Sequence, residues 1–194
     1  MKSRNVTRIM CLFTAGVMAT GSLAAAPRES APGAATSQAD DWNFHDEASM
    51  LLKEVQTTAT LLSREARVLH SFTRGSLSWD THVNQVNVVK DHINTMGKHL
   101  ERLQAIRHVA TPWQQQAIHS VMPSALILAK HTELAIEHLD DREKPLWDRE
   151  YVNHLRGIEG RSVQVKQTVD LHLDLATTQD KLERLREQTI LLGS

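Results

Sequence analysis

Histidine is the one reactive side chain in unusual supply: the chain of 194 residues carries 11 of them. Imidazole ligates metals, relays protons and titrates near neutral pH, so it matters which histidines the chain can bring together. When four helices read from the apolar spacing are laid antiparallel, His70, His82, His138 and His154 fall at one end. Asp80, Asp140, Asp141, Asp148 and Glu150 are close to them in sequence. Nitrogen and oxygen ligands meeting there would suit Zn, Cu or Ni without a thiol. The spacing argues against a dedicated metal site, because no two histidines stand four apart, the interval that sets two ligands on one helical face. His92 with His99, and His131 with His138, are two turns apart, about 10 Å along a helix, too far for one ion. Histidines at helix ends are ordinary, since the dipole favours them at a C-terminus. The four-histidine end therefore stands as an alternative reading, and no metal ligand is assigned.

Other chemistries find less support. A di-iron carboxylate centre needs Glu-x-x-His on two helices, and that motif is absent. A b-type haem needs axial His or Met inside a bundle. Met50 and His172 come out at similar heights, but Met50 is off the apolar stripe of its helix. No nucleophile-elbow glycine pattern and no glycine-rich phosphate loop occur. Lys181, Glu183, Arg184, Arg186 and Glu187 read as a solvated lattice of charges three and four apart. The expectation is a protein that is not an enzyme and carries no cofactor.

The N-terminus reads as an address. Lys2, Arg4 and Arg8 precede an apolar run from Ile9 to Ala19, and small residues close it at Gly21, Ser22, Ala24 and Ala25. That order is the pattern of a secretory signal peptide, and the run is shorter than the ~20 apolar residues of a membrane span. Residues 1–25 are expected to be cleaved after Ala24 or Ala25, leaving no stable membrane span. The only cysteine, Cys11, leaves with them. The remaining chain would have neither disulfide nor thiolate ligand, and 19 basic residues against 23 acidic. An acidic chain without a basic cluster is a poor binder of nucleic acid. The expected location is the bacterial periplasm or the medium.

The rest of the chain must supply the scaffold. Residues 26–45 are rich in Pro, Gly, Ala, Ser and Thr and read as a flexible linker. Residues 46–190 read as an up-down-up-down antiparallel four-helix bundle, all-α, with helices at about 46–72, 79–109, 112–139 and 147–188. The first stripe is Ala48, Leu52, Val55, Ala59, Leu62, Ala66 and Leu69. The second is Trp79, Val83, Val86, Ile93, Met96, Leu100 and Leu103, interrupted by Lys90 and weakened at Gly97. The third helix opens on a T-x-x-Q capping box, Thr111 to Gln114, with Pro112 at its first position. Pro123 lies inside it and predicts a kink that frees the His119 carbonyl. The fourth carries two stripes out of phase. Tyr151, Leu155, Ile158, Ser162, Val165 and Val169 form one, and Leu171, Leu175, Leu182 and Leu185 form the other. One helix cannot bury both against one core, so it must bend, stutter or overhang. Gly157 and Gly160 are its expected soft point.

Trp42, Trp79, Trp113 and Trp147 each fall at or just before a helix start and are expected to plug the ends of the core, indole N–H near water. Thr111 to Gln115 (TPWQQ) is similar to the L-T-x-x-Q turn of small helical periplasmic chaperones. Ala110 stands where their leucine does and there is a single copy, so helix capping explains the match equally well and no family follows. Off-stripe Leu126, Ile127, Leu134, Ile190 and Leu191 point to a surface for an unknown protein partner or a homo-oligomer. The function expected is an exported, non-enzymatic helical module that binds a macromolecule or belongs to an envelope assembly.

Overall fold

The structure, a computed structural model, describes residues 36–192, with side chains from Phe44 to Leu191. The expected signal segment, the first part of the linker and the side chain of Trp42 lie outside the described residues. The chain folds into four helices: α1 (Thr36–Ser71), α2 (Trp79–Ile106), α3 (Pro112–Asp140) and α4 (Arg149–Leu192). Each packs on its neighbour in chain order, and α4 closes the ring onto α1, which is the antiparallel up-down-up-down bundle. Among the described residues there is no strand, and no helix is long and apolar enough to cross a membrane.

The first stripe of α1 is buried from Ala48 to Leu69, and that of α4 from Tyr151 to Val169. Both follow the three-and-four spacing that keeps apolar residues on one helical face. α1 begins ten residues before the expected start near Asp46. Gly33 is the last glycine or proline before Gly75, so nothing between them breaks a helix, and polar composition alone misread Thr36 to His45 as linker. In α2 the core positions are His82, Val86, Val89 and Ile93 onward. Val89 fills the gap attributed to Lys90, and His82 takes the core position expected of Val83. Ser78 caps α2, its Oγ accepting the Thr81 N–H at 3.3 Å.

Between α2 and α3 the chain makes a single 3-10 turn, Arg107–Val109. The capping box at the head of α3 does more than cap. Gln114 is buried; its Oε1 accepts the Thr111 N–H at 2.9 Å, and its Nε2 donates to the His45 carbonyl and to Ser49 Oγ, both at 2.9 Å. One side chain thus ties the start of α3 to α1 at His45 and Ser49.

α3 runs through Pro123 as one helix. Pro123 and His119 are both on the exposed face, so the carbonyl that proline leaves without its usual donor can be hydrated. α4 is likewise unbroken across Gly157 and Gly160. Of its three options it takes the overhang. Ala176 is its last buried residue, and every described side chain from Thr177 to Leu191 is exposed.

The tryptophans divide. Trp79 and Trp113 are partly buried against the core, whereas Trp147 is 83% exposed and plugs nothing. Trp147 belongs to the loop before α4, and Tyr151 and Leu146 fill that end of the core instead. Trp79 Nε1 is buried without a hydrogen-bond partner rather than left near water, and the Arg142 guanidinium lies over its ring at 4.1 Å.

Candidate functional site

Two regions depart from an ordinary apolar bundle: a buried layer of histidine and tyrosine at one end, and the bare second half of α4 at the other.

The layer forms where the ends of α1 and α3 meet the starts of α2 and α4. Its centre is Tyr151, wholly buried. A 3.0 Å hydrogen bond joins its hydroxyl to His82 Nδ1, and the His138 ring stacks on its ring at 4.7 Å between centroids. Phe72 closes the layer edge-on to His82 at 5.5 Å. The His138 Nε2–H donates to the Pro145 carbonyl at 3.1 Å, which fixes that tautomer and holds the α3–α4 loop down. Burial pushes His82 below the usual histidine range and the Tyr151 phenol above the usual tyrosine range. Both shifts favour the neutral form, so the His82–Tyr151 pair at the centre of the layer is held uncharged at neutral pH.

The other two histidines of the expected cluster go elsewhere. His70 Nδ1 pairs with the Glu159 carboxylate, where Arg67 also lies at 3.7 Å. His154 sits against His131, ring centroids 5.8 Å apart, with its Nε2 3.9 Å from Glu150. Among the described residues no three His, Asp or Glu side chains are placed to hold a metal ion. His82 and His138 meet through Tyr151, and His70 and His154 do not join them. The haem pair is not assembled either, since Met50 is 55% exposed on the outer face of α1.

Sorting by height missed His131. The same antiparallel alignment that sets His138 level with Tyr151 sets His131 level with Gly157 and Ile158, so the signal was present. The reason for Gly157 is then steric. A Cβ on Gly157 would come within 2.6 Å of the His131 ring, whereas one on Gly160 would meet nothing within 4 Å. The glycine lets imidazole lie on the α4 backbone and is a packing device rather than a soft point. Burial pushes His131 below its ordinary range, and the nearby His154 and Arg161 charges add to that. The Nδ1 atoms of both His131 and His154 are buried without a partner.

Chemically, the layer can fix register and titrate. Tyr151, His82 and His138 expose almost nothing to a substrate, and the central hydrogen bond joins two groups held neutral.

The second region is a surface. From Thr177 to Leu192, α4 projects about 24 Å beyond its last buried residue at about 1.5 Å per residue. Leu171, Leu175, Leu182 and Leu185 are 57, 50, 51 and 58% exposed. Thr178 and Thr189 complete their three-and-four spacing. Each threonine hydroxyl donates to its own helix, to the Asp174 carbonyl at 2.8 Å and the Leu185 carbonyl at 2.9 Å, which leaves the methyl groups to the strip. Among the described residues no side chain pairs with Asp174, Lys181 or Arg186.

No family model, no curated protein and no solved structure matches this chain.

Proposed function

We propose that this protein is an exported, non-enzymatic binding module whose four-helix body holds the second half of α4 out as a docking rod for a macromolecular partner. The observation that carries this reading is the strip Leu171, Leu175, Leu182 and Leu185. Leucines at heptad spacing on an exposed helix are what a second helix packs into, and a contiguous apolar patch is the usual mark of an interaction site. The reactive side chains support the non-enzymatic part, because Tyr151, His82 and His138, which do gather, are buried out of reach of a substrate. Export rests on the charge and hydropathy of residues 1–25.

Photo-crosslinking in the producing cell tests the reading. A crosslinker at Leu182 is expected to give covalent adducts, and one at Val88, exposed on the far side of the bundle, is expected to give none. Equal labelling at both positions, or none at Leu182, contradicts it. Cell fractionation tests export: the chain is expected outside the inner membrane and lacking residues 1–25 by mass.

A further inference from the structure

The exposed strip of α4 carries its own clue to what covers it. In heptad terms Leu175, Leu182 and Thr189 occupy one seam position, and Leu171, Thr178 and Leu185 the other. Asp174, Lys181 and Gln188 flank the seam on one side; His172, Gln179 and Arg186 flank it on the other. Partner and orientation in a coiled coil are set by these flanking charges.

From this pattern we infer that the strip's partner is α4 of a second copy of this chain, lying antiparallel. The inference rests on the proposed docking role of α4 and names its partner. In a parallel pair each flank faces the opposite flank of the other helix, five residues on. That sets Lys181 beside Arg186 of the second copy, twice by symmetry, and Asp174 beside an uncharged glutamine. In an antiparallel pair each flank faces its own counterpart. With the two-fold axis between Ala176 and Thr177, Asp174 meets Lys181 of the second copy, and the symmetry repeats the pair. The same register stacks Leu171 on Leu182 of the second copy and Leu175 on its Thr178, again twice each. Charge repels in one orientation and attracts in the other, and the attractive register also matches the leucines.

The contact is modest. Leu171 to Leu185 spans about 21 Å of helix, so two strips bury less than the roughly 1,200–2,000 Å² of a standard stable interface. The dimer is therefore reversible, with a dissociation constant of roughly micromolar to tens of micromolar. In this register the two bodies lie end to end, and each rod runs along the outer face of α4 in the other copy.

Sedimentation velocity over a concentration series, on the full chain as the cell processes it, reads this directly. The expected result is a monomer–dimer equilibrium. L182E with L185E should abolish it while leaving the circular dichroism unchanged, since neither side chain is in the core. K181E should weaken the dimer about tenfold, and D174K with K181E should restore it. A monomer at every concentration overturns the inference, as does a dimer that survives L182E with L185E. A dimer tightened by K181E overturns the antiparallel orientation, because only parallel pairing sets position 181 beside Arg186, where a new carboxylate would be attracted. The docking reading fails separately. If the chain is monomeric yet adducts at Leu182 join it to another protein, the reading stands and the second copy is eliminated; if adducts are also missing, both fall.

Discussion

The two halves of α4 obey the same helical spacing and meet opposite fates. Tyr151 to Val169 is buried against α1 and α3, while Leu171 to Leu185 lies open to solvent. Their residues differ little in apolar character. What separates them is whether a neighbouring helix reaches that height and that face. α3 has 29 residues against the 44 of α4 and runs out before Leu182 and Leu185, whereas Leu171 and Leu175 precede the buried Ala176 and are exposed because of the face they occupy. Periodicity thus states which face of a helix seeks cover and is silent on what supplies it.

Breaking the covered half should have the largest effect. Tyr151→Ala removes a wholly buried ring and leaves His82 Nδ1 without its partner. By analogy with buried aromatic truncations it is expected to cost about 3–5 kcal/mol, read from urea unfolding. Leu185→Ala, on the open half, is expected to stay within about 0.5 kcal/mol in dilute protein. If the two variants lose similar stability, α4 is not divided as described.

The two glycines sharpen the same contrast inside the body. Gly157→Ala drives a methyl into the His131 ring and forces it from its place beside His154; overpacking of this kind is expected to cost about 1–3 kcal/mol. Adding His131→Ala should recover most of it. Gly160→Ala meets only open space and is expected to stabilise by about 0.5–1 kcal/mol through helix propensity. Urea midpoints of the three variants give the comparison, and equal effects at the two positions would refute the steric account.

A pH series sharpens it further. His82 and His131 have their folded pKa values pushed down by burial. The unfolded chain therefore binds protons first, near the ordinary histidine value of about 6.5. Stability is full above that value and is lost as pH falls through the lowered folded values. Unfolding free energy is expected to decline on acidification below about pH 6.5, and His82→Gln should flatten the slope. The same series on the exposed half, followed by Leu171→Ala, should leave the slope unchanged. A slope that steepens toward alkaline pH would reverse the sign and refute the neutral form assigned to His82 and His131.

Much of the fold was legible because stripes such as Ala48 to Leu69 recur at helical spacing, and Gly75 and Thr111–Pro112 punctuate them. The start of α1 was not, since Thr36 to His45 has the composition of a linker and only its lack of breakers marks a helix. The histidine layer was half legible. Height along the bundle placed His82 and His138 together, and would have placed His131 had it been extended one more turn. Azimuth around each helix decided the rest: it turns His70 toward Glu159 and His154 toward His131, and brings Tyr151 between His82 and His138. Trp147 misled for a related reason, because proximity to a helix start fixes height and not direction.

Ala176 is the last residue of α4 buried in the body of the bundle, and binding is the role we propose for the helix beyond it. Removing residues 177–194 and measuring both urea unfolding in dilute protein and crosslinking from Leu171 in the cell tests it most directly. The expected result is an unfolding free energy within about 0.5 kcal/mol of the full chain's, together with loss of the adducts. A shortened chain that unfolds, or one that keeps its adducts, would contradict it.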